Sequence, residues 1–189
     1  MIKKKYLLLF LALSLIVSGP VFSQSKKQLK IEAQVKLFNL SDERYKEVYG
    51  SGSIIPNLSL TYGSGLFEIR AETEFFNKIG EMTLSQDEVK LVIFPICLGT
   101  RFKFSQLKIK PFIGAGLGYY KYEETLPPRL DNVSGSTIGF HAEIGFYFVA
   151  TKKIDIDLNV RLISAKVRNS EVNLGGLCIG FGFVFNLLR

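Results

Sequence analysis

A chain of 189 residues with 24 Lys and Arg against 17 Asp and Glu carries a formal charge of +7, yet 47% of it is hydrophobic. The lysines are scattered rather than massed, which argues against nucleic acid as a partner. Two cysteines, Cys97 and Cys178, exclude a disulfide scaffold, and no apolar run reaches the about 20 residues of a membrane helix.

The chain begins with a segment built like a secretory signal. Lys3, Lys4 and Lys5 make a positive head, Leu7 to Val17 an apolar run broken only by Ser14, and Val21-Phe22-Ser23 precede the expected cut. Gly19-Pro20 ends that run short of a membrane anchor. A signal peptide over 1–23 and a single domain over 24–189 are the expected organisation.

The mature chain then alternates with period 2, the signature of strands. Leu29–Phe38 sets Leu29, Ile31, Ala33, Val35 and Leu37 against Lys30, Glu32, Gln34 and Lys36. Ser53–Tyr62 sets Ile54, Leu58, Leu60 and Tyr62 against Asn57, Ser59 and Thr61. In Leu66–Phe76, Phe67, Ile69, Ala71 and Phe75 oppose Glu68, Arg70, Glu72 and Glu74. Glu88–Phe104 changes parity along its length. Its charged row is Glu88 and Lys90 before Phe94, but Arg101 and Lys103 after Pro95, so a β-bulge is expected there.

Ile109–Tyr120 carries Ile113, Ala115, Leu117 and Tyr119 on one face and Gly114, Gly116 and Gly118 on the other. Thr137–Val149 opposes Ile138, Phe140, Ala142, Ile144 and Phe146 to Gly139, His141, Glu143, Gly145 and Tyr147. Ile154–Ile163 opposes Ile156, Leu158, Val160 and Leu162 to Asp155, Asp157, Asn159 and Arg161. The eighth segment, Val172–Phe185 or slightly beyond, ends with Leu177, Ile179, Phe181, Phe183 and Phe185 in one row and Gly176, Cys178, Gly180 and Gly182 in the other. No segment has helical period, so an all-β fold is expected.

The connections alternate as well. Gly63-Ser64-Gly65, Ser105–Lys108 and Ala150–Lys153 are hairpin lengths, while 39–52, 77–87, 121–136 and 164–171 are longer. Short turns at one end and long loops at the other fit an eight-stranded antiparallel up-and-down transmembrane β-barrel. A soluble barrel with the apolar rows turned inward is the rival. An eight-stranded interior is only wide enough to be filled by side chains, and so many Phe, Ile and Leu exceed it. The apolar rows therefore face lipid.

The other rows face the lumen. Seven acids (Glu32, Glu68, Glu72, Glu74, Glu143, Asp155, Asp157) and seven bases (Lys30, Lys36, Arg70, Arg101, Lys103, Lys110, Arg161) project inward. Glycines on neighbouring walls make room for those long side chains. Buried charge must be paired, and an even balance suits a closed ion-pair plug better than a selective pore. The expected network comprises Arg70, Glu72, Arg101, His141, Glu143 and Arg161.

"IKPFIGAGLGYY" following "VIFPICLGTRFKF" resembles paired central strands of the small bacterial outer-membrane β-barrel domain family, the OmpX/OmpW-like group. The terminal "GFGFVF" resembles the signal by which the barrel assembly machinery recognises its clients, with Gly180, Phe183 and Phe185 on its core positions. The resemblance implies a porin-like barrel in the outer membrane of a Gram-negative bacterium, in contact with outer-membrane lipid. Because such barrels host unrelated activities, it implies location rather than role.

His141, the only histidine, reads as a hydrogen-bonded interior residue rather than a catalytic base, since no serine shares its surface. Cys97 and Cys178 read as inward filler on strands too far apart to bond. Ser105-x-x-Lys108 matches a penicillin-recognition motif only by spacing, in a hairpin turn. The expectation is a monomeric, non-enzymatic barrel without cofactor, its exposed loops serving structural or adhesive contact. Passive passage of small or hydrophobic solutes is the alternative, and a lipid-modifying enzyme the third reading.

Overall fold

One buried and one exposed side chain alternate along nearly every strand of the computed structural model, which describes residues 27–82, 85–104, 108–167 and 172–188. The elements are β1 (Lys27–Leu40), α1 (Glu43–Tyr49), β2 (Ser53–Ser64), β3 (Phe67–Glu74), β4 (Phe76–Glu81), β5 (Glu88–Lys103), β6 (Ile109–Thr125), β7 (Val133–Val149), β8 (Ile154–Ser164) and β9 (Gly176–Leu188). The segment expected to be a signal peptide, together with Ser105, Gln106 and Leu107 of the turn after β5, lies outside the described residues.

Each strand pairs antiparallel with its neighbours in the order β3-β2-β1-β9-β8-β7-β6-β5-β4, and β3 also pairs β5. Both β3 and β4 run along β5 in one register, from Phe67 opposite Phe102 to Thr73 opposite Ile96, then from Phe76 opposite Ile93 to Glu81 opposite Glu88. They are two halves of a single stave, interrupted at Phe75. Eight staves therefore close on themselves as an antiparallel barrel with no free edge, because β1 pairs β9. Gly65 takes the first central place of the β2–β3 turn with φ +63°, the position where a two-residue hairpin favours glycine.

The outer face forms an apolar belt: Ile31, Leu58, Ile69, Leu98, Leu117, Ile144, Val160 and Phe181 are all exposed. Inside, the charged residues are buried, with Arg101, Arg161 and Lys30 each only 1% exposed. An ordinary soluble protein has these faces reversed.

Three expectations need correction. The ladder between β5 and β6 runs from Lys90 opposite Thr125 to Lys103 opposite Phe112 without a shift, so β5 has no bulge. Its parity never changes; its surroundings do. Val89, Leu91 and Ile93 point inward with Cys97 and Arg101, while Glu88 and Lys90 point outward above the apolar belt. The strands outrun the belt. With 17 residues, β6 and β7 extend beyond the expected ends. At about 3.3 Å per residue and a tilt of about 40°, such strands span about 43 Å along the axis, against an apolar band of about 25 Å. The register shift in the sheet lies instead where the barrel closes, between β1 and β9 at Leu29/Lys30.

The second correction is α1, a seven-residue helix in the connection after β1. Asp42 caps it by accepting a hydrogen bond from the Arg44 amide. Two turns are too few to show a hydrophobic period. The third is the start of the last strand, which begins at Gly176 rather than near Val172; its run to Leu188 agrees with an end slightly beyond Phe185.

The interior is layered. At the loop end, Phe38, Ile55, Phe76, Leu91, Tyr120 and Leu174 form an apolar core, joined by Tyr45 and Tyr49 of α1. Charged residues occupy the middle. Toward the short turns, Phe112, Tyr147 and Val184 form a small apolar floor.

Candidate functional site: the salt-bridged interior

Adjacent inward positions on neighbouring strands lie close enough for their side chains to meet. Glu143 of β7 faces Arg161 of β8 in register, and Glu72 of β3 faces Cys97 of β5. A closed eight-stranded barrel is also narrow enough for long side chains to cross it.

Two guanidinium groups organise the middle layer. The Arg101 Nε lies 2.6 Å from Glu143 Oε1 and its Nη2 3.1 Å from Oε2, while Nη1 reaches Asp157 at 2.9 Å and Glu32 at 3.4 Å. The same nitrogen donates to the Tyr147 hydroxyl, and the guanidinium carbon sits 4.2 Å above the centre of the Phe112 ring. Arg161 donates to Glu143 Oε2 at 2.8 Å and to Glu72 Oε2 at 2.9 Å, contacts Glu72 Oε1 through Nη1, and approaches Glu74 at 3.3 Å. Glu143 therefore bridges both arginines.

Arg70 joins Glu32 at 3.0 Å and Glu72 at 3.2 Å. Lys30 and Lys103 share Glu68 at 2.5 and 2.7 Å, Lys36 pairs with Glu74, and Lys110 with Asp155 at 3.2 Å. Neutral groups fill remaining lone pairs: Gln34 donates to Asp157 at 2.7 Å, and Thr61 and Ser59 to Glu32 at 3.1 and 3.3 Å. Arg70, Glu72, Arg101, Glu143 and Arg161, named from the sequence, all meet in this layer.

His141 lies beside it, without an ion pair among the described residues. Its ring reaches over two glycines: a Cβ on Gly116 would stand 2.7 Å from His141 Cε1, and one on Gly99 3.1 Å from Nε2. Ligand atoms of His141, Glu72 and Cys97 lie within 4.8 Å of one another. Both cysteines are free and buried.

Sequence reasoning passed over Tyr147 and Phe112 as network members, because neither carries a charge to mark it as one. Gln34, Glu32 and Asp157 stood on the inward rows, but which strands they would reach depends on barrel geometry.

At the loop end a second set of contacts holds α1 in place. Tyr49 donates to Glu124 Oε1 at 2.5 Å, and Asp42 accepts from the Asn173 amide at 3.1 Å. Burial raises the Asp42 carboxyl, but donors from the Arg44 side chain and from the Asn173 and Arg44 amides lower it further, leaving it below its ordinary value. Burial, then the bond to Glu124, holds the Tyr49 phenol well above the usual tyrosine range.

A closed antiparallel barrel with an apolar exterior and a paired-ion interior is an integral membrane β-barrel. The chain belongs to the outer membrane protein β-barrel domain family, which it matches over residues 9–185, and its location is the outer membrane. Neisserial surface protein A has a similar structure, with 15% identity, a TM-score of 0.61, and 85% of this chain covered against 97% of that one. Outer membrane protein W of E. coli gives 11% identity and a TM-score of 0.56, covering 87% of this chain and 100% of that one. Ail, the attachment invasion locus protein of Yersinia pestis, solved with the heparin analogue sucrose octasulfate, gives 13% identity and a TM-score of 0.52, covering 86% and 99%. None of the curated proteins matches the chain by sequence. At these identities the structural likeness speaks for the fold.

Proposed function

We infer that the protein is a non-enzymatic barrel that holds its loop end rigidly at the cell surface for structural or adhesive contact. The observation carrying this reading is the sealed interior: charges from six of the eight staves neutralise one another in a buried layer, and an apolar core with α1 covers them. Such an interior supports a mount rather than a passage. A cavity of about 10 Å³ lined by Phe38, Phe76 and Tyr120 has room for about one water, not for a solute. His141, 4% exposed, has no route to lipid, which works against a lipid-modifying enzyme.

The partners follow from the surfaces. Outer-membrane lipid covers the apolar belt, the barrel assembly machinery engages β9 through Gly180, Phe183 and Phe185, and β1–β9 pairing lets a single chain close as a monomer. The contact surface is the loop end, where Arg129, Leu130 and Asp131 stand exposed between β6 and β7 and Glu47 on α1. A groove of about 580 Å³ runs beside α1, lined by Glu47, Tyr49, Gly50, Glu81, Met82 and Glu88.

The test uses whole cells displaying the protein on surfaces coated with matrix proteins or sulfated glycans. Wild-type cells should bind at least one surface, and serine substitutions at Glu47, Arg129, Leu130 and Asp131 should reduce that binding while the barrel still folds. Equal binding by displaying and non-displaying cells on every surface would contradict the reading.

A further inference from the structure

The cluster of Glu72, Cys97 and His141 takes no part in holding the barrel closed beyond the role of Glu72 in the ion pairs. It joins three strands. Glu72 and Cys97 are register partners on β3 and β5, and His141 reaches them from β7 across Gly116 and Gly99. Side chains larger than hydrogen at those two glycines would displace the imidazole, so the bare wall of β6 and β5 seats this ring. Among the described residues its buried Nδ1 has no hydrogen-bond partner, and the Cys97 thiol has only a long 3.8 Å contact with the Tyr120 hydroxyl. A buried imidazole nitrogen without a partner is costly unless something else occupies its lone pair.

The donor set points to a metal. Thiolate and imidazole are the ligands of thiophilic cations, and the three ligand atoms already stand within 4.8 Å. Metal–sulfur and metal–nitrogen bonds of about 2.3 and 2.0 Å laid end to end span about 4.3 Å. Charge decides which metal. The interior acids and bases named above balance, and both Glu72 oxygens are engaged by Arg161. Replacing the thiol proton of Cys97 by a monovalent cation leaves the interior charge unchanged. A divalent cation would add one unpaired positive charge among Arg161, Arg70 and Lys36.

We propose that Cys97 and His141, flanked by Glu72, form a buried site for a soft monovalent cation, Cu(I) by its chemistry. Binding forms a metal–sulfur bond and a metal–nitrogen bond, and the thiol proton leaves to solvent; no electron is transferred. Because the interior is sealed, the ion enters as the barrel folds.

The experiment refolds the full barrel anaerobically in detergent with Cu(I) or with Zn(II), removes free metal by gel filtration, and measures what is retained. Wild type and Cys178→Ser should keep about one copper per barrel, and Cys97→Ser and His141→Gln at least about tenfold less. Copper absorption spectroscopy on Cys178→Ser, whose only thiol is Cys97, should show one sulfur and one imidazole nitrogen at the metal, whether or not the other variants fold. No retained copper, retention of Zn(II) in preference to Cu(I), equal retention in folded Cys97→Ser, or a sulfur-free copper environment would each overturn the proposal.

Discussion

Arg101 of β5 and Glu143 of β7 meet as a two-bond fork across the intervening strand β6, Nε to Oε1 at 2.6 Å and Nη2 to Oε2 at 3.1 Å. The second Glu143 oxygen also accepts from Arg161 at 2.8 Å, which makes this carboxylate the joint between the two guanidinium clusters. Removing a member of such a network leaves buried charge without its counter-charge. Arg161→Ala exposes Glu72, Glu74 and Glu143 to one another and should lower unfolding stability by about 3–5 kcal/mol, with water entry reducing the loss. Glu72→Ala should cost less, because Arg161 keeps Glu74 and Glu143. Urea unfolding in lipid vesicles measures both, and wild-type stability in Arg161→Ala would show the ion pairs to be idle.

Gly116 should tolerate no side chain. A Cβ there would stand 2.6 Å from Gly99 Cα and 2.7 Å from the His141 ring, a clash with backbone as well as with a buried side chain. Gly116→Val should destabilise by about 1–3 kcal/mol or more. Ala115→Val, one residue along and facing outward, should stay within about 0.5 kcal/mol. Equal effects at the two positions would mean that β6 is not packed as described.

The faces can be read by labels. Ile113, Leu158 and Phe181 are 47%, 40% and 47% exposed on the outer wall, so probes there should be quenched by brominated lipid. Probes at Gly116, Asn159 and Gly182 should not. Labels at Glu88 and Lys90 should report water and those at Val89 and Leu91 burial, because β5 rises above the belt without changing face. Burial at Glu88 and Lys90 with lipid contact at Val89 and Leu91 would restore the bulge.

These positions also mark how far sequence reaches. Period 2 fixes which side of a strand each residue takes, so the belt and the inward charges were legible from Leu29 to Phe185. What the period does not carry is height along the axis. Glu88 and Lys90 read as a change of face because the sequence does not reveal where the apolar band ends. The two-turn helix α1 has no period to show, and Phe76, Tyr120 and Leu174 meet only once the barrel closes. The approach of His141 to Cys97 crosses a strand, from β7 over β6 to β5, and depends on glycines whose use appears only when the walls are curved together.

Asp42 should make the roof sensitive to acid. Its folded carboxyl titrates below its ordinary value, so its stabilisation is complete at neutral pH and fades as pH falls below the ordinary aspartate range toward the folded value. Hydrogen exchange of the α1 amides should therefore quicken in acid. Asp42→Asn keeps a capping oxygen that does not titrate and should remove most of that pH dependence. Asp42→Ala should loosen α1 at every pH, by about 0.5–2 kcal/mol. Acid-induced opening that is the same in wild type and Asp42→Asn would assign it to other groups.

The most direct measurement is the current through purified barrels in a planar lipid bilayer. A sealed interior predicts no steady conductance from the wild type, and none from Arg161→Ala despite its lower stability. Steady ion flow through the wild type, with a selectivity that changes in Arg101→Ala or Arg161→Ala while stability does not, would contradict the closed plug and make the barrel a channel.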